Sequence, residues 1–182
     1  MGWRARDSQV AGQEQELVID SSVAVKWFSE EEDTDKALVL KERHVQGLAR
    51  LWASDLLYHE VTNALRFKSG YDEPSLVAAV VGLFDLHLNV HRTDARILER
   101  ASSIALKGEV TVYDAVPVAL AEMMGTVCIT ADELTQYKRL KAREYPVRLL
   151  HSQSFDIAGS GGKKASVSEM KRLLDRTRGE DA

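Results

Sequence analysis

Four acidic residues stand where they could do chemistry together. Asp20 closes the apolar run ELVID and is followed by two serines and a helix; Glu60 lies in YHEVTNALR, Asp114 in VYDAVPVALA and Asp132 in VCITADEL. A carboxylate at the C-terminal end of a parallel strand faces the crevice in which open α/β sheets place their ligands. Four acids gathered there would make a pocket for a hard divalent cation, since Mg²⁺ takes oxygen ligands and is typically held by one or two carboxylates, waters and a substrate phosphate. Bound Mg²⁺ or Mn²⁺ activates water and stabilises charge on phosphoryl and leaving oxygens, which is what phosphodiester hydrolysis needs. On this reading Asp20, Asp114 and Asp132 hold the metal directly or through water, and Glu60 orients the attacking water or completes a second metal position. Carboxylates so crowded are hard to ionise together without the ion.

The elements that would position these acids are legible from pattern. Residues 17–20 read as a strand, and Ser21 or Ser22 can cap the helix that carries Val23, Val25, Trp27 and Phe28. The acidic run 30–35 reads as a solvated helix start, where negative charge favours the positive end of the dipole. KALVLKERHVQGL continues as a helix ending near Gly47, LWAS is a short strand, and Asp55 opens a helix running to Gly70. At about 100° per residue, Leu56, Leu57, Val61, Ala64, Leu65 and Phe67 share one arc, with Glu60 inside it. A carboxylate on a core-facing arc needs a partner, because burying it alone is costly.

Pro74 sits in the first turn of the next helix, whose SLVAAVVGLFDL is apolar enough for a core or a subunit interface. LNVHR reads as a weak strand, and Thr93 as the cap of a helix ending at Gly108. Thr111 and Asp114 resemble a capping box, but Pro117 would cost that helix the amide that should reach Tyr113, so the helix is expected to begin near Asp114. TVCIT is a strand ending towards Asp132, QYKRLKAREY a basic helix and PVRLL a last strand. Alternating short strands and helices predict an α/β fold with a parallel sheet covered on both faces.

The chain has 182 residues, 45% hydrophobic, enough for one domain with tails. The expected organisation is a disordered tail at 1–15, a domain at 16–152, a Gly/Ser-rich linker at 153–165 and a short amphipathic helix at 166–182 with its own capping box, Ser166 and Glu169. A net charge of −4 lacks the bulk basic footprint of a nucleic-acid binder, although acids that hold cations are screened from a polyanion. Lys138, Arg139, Lys141 and Arg143 are the best candidates for RNA phosphate contacts. The single Cys128 excludes an intrachain disulfide and a zinc cluster of cysteines, and reads as a small buried strand residue. The five histidines show no metal-ligand spacing, and there is no GxGxxG, P-loop or serine elbow. No apolar run reaches the ~18 residues of a membrane span, and the N-terminus lacks a signal-peptide pattern and, with Arg6, a myristoylation motif. The expectation is a cytoplasmic protein that does not touch a membrane.

The ordered constellation resembles the PIN-domain nucleases, most closely the small VapC-type toxins. Asp20 in VIDSS, the E-x-x-N pair Glu60 and Asn63, the YDA at 113–115 followed by ALA at 119–121, and T-x-D at 130–132 carry the resemblance across residues 17–150. It implies a three-layer α/β/α fold with a central parallel sheet, a divalent-metal site and endoribonuclease activity, commonly in homodimers neutralised by a small antitoxin. It assigns the acid roles to Asp20, Glu60, Asp114 and Asp132, with Ser22, Asn63 and Thr130 as supporting positions. The departure is Pro117, where relatives usually carry a bulky aromatic, which bears on the packing behind Asp114. Against the toxin reading stands a non-catalytic PIN-fold module that binds RNA or protein through the same pocket. The C-terminal segment, with Lys171, Arg172, Arg176 and Arg178, could lie in the acidic groove as an antitoxin segment does.

Overall fold

Five short strands, β1 (Gln15–Ile19), β2 (Ala49–Ser54), β3 (Asn89–His91), β4 (Cys128–Thr130) and β5 (Val147–Leu149), form one all-parallel sheet in the order β3-β2-β1-β4-β5. The computed structural model describes residues 15–155. The expected linker, apart from its first residues, and the expected C-terminal helix lie outside the described residues, as does the N-terminal tail up to residue 14.

Alternation along the strands assigns the two faces. Leu17 and Ile19 point into one core with Leu51 and Ala53, while Val18 points into the other with Cys128 and Val147. Helices α1 (Ser21–Val25), α2 (Thr34–Val45), α3 (Leu56–Leu65) and α4 (Glu73–Asp85) cover the first face. Helices α5 (Ala95–Gly108), α6 (Val112–Met124) and α7 (Lys138–Lys141) cover the second. The result is the expected three-layer α/β/α arrangement, with Cys128 fully buried in its strand. Its order places β1 at the centre, with the chain leaving towards β2 and β3 and returning on the other side to β4 and β5. That reversal opens a crevice beyond the ends of β1 and β4.

Several local expectations are corrected. Phe67 lies past the end of α3 and is exposed, so it does not share the buried arc of Leu57, Val61 and Leu65. Of the two places expected for apolar α4, the chain's own core takes only Ala79 and Leu83, and Val77, Val81 and Phe84 stay exposed, which leaves the subunit interface open. Asp94, not Thr93, caps α5, its side chain accepting from the Ile97 amide at 2.9 Å; Thr93 instead donates to Asp55, tying the start of α3 to the end of β3.

Helix α6 begins at Val112 with the Thr111–Asp114 capping box intact and Pro117 inside it. The proline removes one amide partner, whereas the box satisfies two first-turn amides, and Pro117 is buried among Ala115, Val116 and Val118. The expected ten-residue basic helix is a π-turn at Glu133–Tyr137 followed by the four residues of α7. Leu140 of α7 closes onto α5 at Gly108, where an added Cβ would stand 2.5 Å from a Leu140 methyl.

Candidate active site

Three of the four acids are held by the way helices start. Asp20 is the N-cap of α1: its Oδ2 accepts from the Ser22 amide at 3.2 Å and the Ser22 hydroxyl at 2.5 Å. Asp114 is the third residue of α6, where its Oδ2 accepts from the Thr111 amide at 3.1 Å and the Thr111 hydroxyl at 2.7 Å. Asp132 caps the π-turn, its Oδ1 accepting from the Thr135 amide at 2.9 Å. A cap fixes a short side chain against its own backbone, and here it aims each carboxylate at the same end of the sheet. The three line one cavity of about 370 Å³ with Ser21, Ser22 and Ala131.

Ser22 and Thr130 join the two strand ends. The Ser22 Oγ accepts from the Ala131 amide at 2.9 Å, the Thr130 hydroxyl donates to Asp20 Oδ2 at 3.3 Å, and Thr130 Oγ1 accepts from the Asp132 amide at 3.0 Å. Of the three polar side chains expected to support the acids, Ser22 and Thr130 hydrogen-bond Asp20. Gln136, fully buried, donates its side-chain amide to the Asp114 carbonyl at 2.7 Å and so ties the π-turn to the start of α6.

Electrostatics couples the acids. Burial raises the pKa of Asp20; hydrogen bonds from Ser22 oppose that rise, and the charge of Asp114 adds to it. Glu60, half-buried on α3, is pushed up to about 7 by burial first, then by the charge of Asp20, against a hydrogen bond from Ser21 and with Asp114 adding further. Glu60 is not among the cavity-lining residues, but its charge is felt at the same place. The hydrogen bond from Ser21 is the partner its core-facing position required, and the neighbouring like charges oppose its ionisation.

The acids fit a hard cation: they offer oxygen atoms only, and two of them, Asp20 and Glu60, resist ionisation in the absence of a counter-charge. The acids are not drawn into a tight cage. Among the described residues, the only three acid or histidine side chains whose ligand atoms all lie within 4.8 Å of one another are Glu32, Asp33 and His151, which do not line the cavity. There Asp33 is already engaged by His151 at 3.0 Å and by Lys36 at 3.4 Å.

A family model described as the PIN domain matches residues 17–141. The chain belongs to the PIN-domain family. Ribonuclease VapC3 of Pyrobaculum aerophilum is 37% identical over 121 residues, which are 64% of this chain and 88% of that protein. Among solved structures, the PIN domain superposes on VapC20 of Mycobacterium tuberculosis, a sarcin-ricin-loop-cleaving toxin, with a TM-score of 0.54 at 16% identity, covering 71% of this chain and 95% of that one. It also superposes on a chain of the DNA-bound VapBC structure from Salmonella typhimurium, with a TM-score of 0.55 at 16% identity, covering 75% and 98%.

Not every residue singled out by the sequence reaches the cavity of this PIN domain. Asn63 is exposed on α3 and does not line it. Lys138, Arg139, Lys141 and Arg143 are exposed but away from its lining; Arg139 donates to the Glu109 carbonyl and Arg143 lies 3.5 Å from the Glu109 carboxylate. Conversely, Lys26, Glu31 and Lys68 line the cavity and were not anticipated. A signal for the first was present, since one short helix separates Lys26 from Asp20. Glu31 was hidden in an acidic run that reads as solvated.

Proposed function

We propose that this PIN domain is a divalent-metal-dependent endoribonuclease, the toxin of a VapBC-type toxin-antitoxin pair. The observation that carries the reading is the gathering of Asp20, Asp114 and Asp132 around one crevice, with Glu60 coupled to two of them. Relatives named as ribonucleases and toxins support the choice of RNA over other phosphodiesters. Asp20, Asp114 and Asp132 are the residues that would hold Mg²⁺ or Mn²⁺. When bound there, the ion supplies a lowered pKa for its water and neutralises charge on the phosphoryl oxygens.

The chain's own part follows from its protonation. Glu60, whose pKa in the metal-free chain is about 7, is the acid left to accept a proton from the attacking water. Water oxygen then bonds to phosphorus, the bond to the leaving sugar oxygen breaks, and that oxygen takes a proton from solvent. Ser22 and Thr130 keep Asp20 in one orientation throughout. The exposed Val77, Val81 and Phe84 of α4 support a homodimer, and the likeness to the VapBC structure supports a small antitoxin partner.

The test is cleavage of a mixed single-stranded and structured RNA pool by purified protein with Mg²⁺, Mn²⁺ or EDTA, beside Asp20→Asn. Metal-dependent cuts absent from the variant are the expected result. A well-folded, metal-binding protein that cuts nothing refutes catalysis and leaves the binding module.

A further inference from the structure

The cavity that holds the acids also holds a cationic cluster that the acid chemistry does not use. Lys26 and Lys68 both bind Glu31: Lys26 Nζ lies 3.2 Å from Glu31 Oε2, and Lys68 Nζ donates to Oε1. Burial works against the charge of Glu31, but hydrogen bonds from Lys68, Ser29 and Lys26 outweigh it and hold its pKa down to about 2. Glu31 is therefore ionised throughout the neutral range, and two ammonium groups against one carboxylate leave a net charge of +1. All three side chains line the cavity together with Asp20, Asp114 and Asp132.

A pair built only to neutralise Glu31 needs one lysine. The second is in excess, and Lys26 is 8% exposed, so its ammonium is withdrawn from bulk water yet borders the cavity. Burying a lysine in this way is costly unless the charge has partners. Among the described residues, Lys26 and Lys68 are the only basic ones in the cavity lining. A nucleic-acid strand entering beside four carboxylates brings a negative charge at every nucleotide, and a metal held by the acids offsets only the charges next to it.

We propose that Lys26 and Lys68, braced by Glu31, form a subsite for a phosphate of single-stranded RNA adjoining the one that is hydrolysed. Lys68 supplies the accessible contact, Lys26 the fixed one, and Glu31 holds both in place while reducing their pull. The subsite rests on the ribonuclease reading for the identity of the strand, but its phosphate contact is measurable without turnover.

The experiment is anisotropy of a short fluorescein-labelled single-stranded RNA titrated with the full chain, in EDTA and separately in Ca²⁺, over a series of KCl concentrations. Each phosphate contact on a single strand contributes about 0.7 to the slope of log affinity against log salt. Lys68→Gln is expected to bind several-fold more weakly and to lose about 0.7 of that slope, while Lys68→Arg keeps it. Glu31→Gln is expected to bind more tightly, because it unmasks both ammonium groups. A merely structural ion cluster predicts the opposite pattern, a lower Tm in both Gln variants with affinity and slope unchanged. That pattern, weaker binding by Glu31→Gln, or no RNA binding by the wild-type chain in either condition overturns the subsite. Cleavage that stops in Asp20→Asn but shows the same KM in Lys68→Gln as in wild type would leave the nuclease standing and remove the subsite alone.

Discussion

Glu60 makes the metal-free protein less stable as the solution becomes more basic. Its pKa stands near 7 in the folded chain against 4.5 in the ordinary carboxylate. The folded state therefore binds this proton more tightly than the unfolded state does. The stabilisation is complete below about pH 4.5 and is lost as pH rises through about 7. At about 1.4 kcal/mol per pH unit the difference is worth roughly 3 kcal/mol, and because Glu60 is only partly withdrawn from solvent, screening reduces this to about 1–2 kcal/mol. For a chain of this size that is a Tm change of roughly 2–8 °C. Calorimetry in EDTA at about pH 4 and about pH 8 is expected to show the wild type losing that much more than Glu60→Gln between the two conditions. Adding Mn²⁺ at pH 8 should restore the wild type, since a cation supplies the counter-charge that ionised carboxylates lack. Parallel Tm profiles for the two proteins in EDTA would refute the coupling and with it the case for a base at Glu60.

Asp20→Asn removes a buried charge but keeps the cap of α1, because asparagine caps about as well as aspartate; its apo Tm is expected to equal or exceed that of the wild type, while the Mn²⁺-induced rise in Tm disappears. Thr111→Val breaks the capping box that orients Asp114, with an expected cost of about 1 kcal/mol, or a Tm lower by roughly 2–4 °C, and RNA cleavage slowed more than this loss of folded protein explains. Val81→Glu places a charge on the exposed apolar face of α4, and light scattering after size-exclusion chromatography is expected to show a dimer for the wild type and a monomer for the variant.

The architecture was legible because its signals are periodic. Strand alternation and the helix arcs of residues 17–150 gave the layers and the parallel sheet, and strand-end position brought out Asp20 and Asp132. Glu60 was legible as a charge on an apolar arc. What escaped was tertiary in origin. Phe67 has a helical spacing that the chain abandons after Leu65, and Thr93 is a good cap by type that found a better partner in Asp55. Pro117 argued against a capping box that its neighbours nevertheless sustain. Lys26, Glu31 and Lys68 are separated by up to 42 positions, and beyond the nearness of Lys26 to Asp20 nothing local distinguishes them from surface charges. Their meeting is a product of packing α1 against α3.

The placement of β1 between β2 and β4 has a consequence for how the chain comes off the ribosome. Asp20 is translated early, but Thr130 and Asp132, whose strand completes the crevice, follow more than a hundred residues later. At about 5–20 residues per second, that interval lasts roughly 5–20 s. Throughout it, β1 has an open edge where β4 will lie, and Asp20 lacks its Thr130 hydroxyl. A nascent chain therefore cannot assemble the acidic crevice until synthesis has passed Asp132.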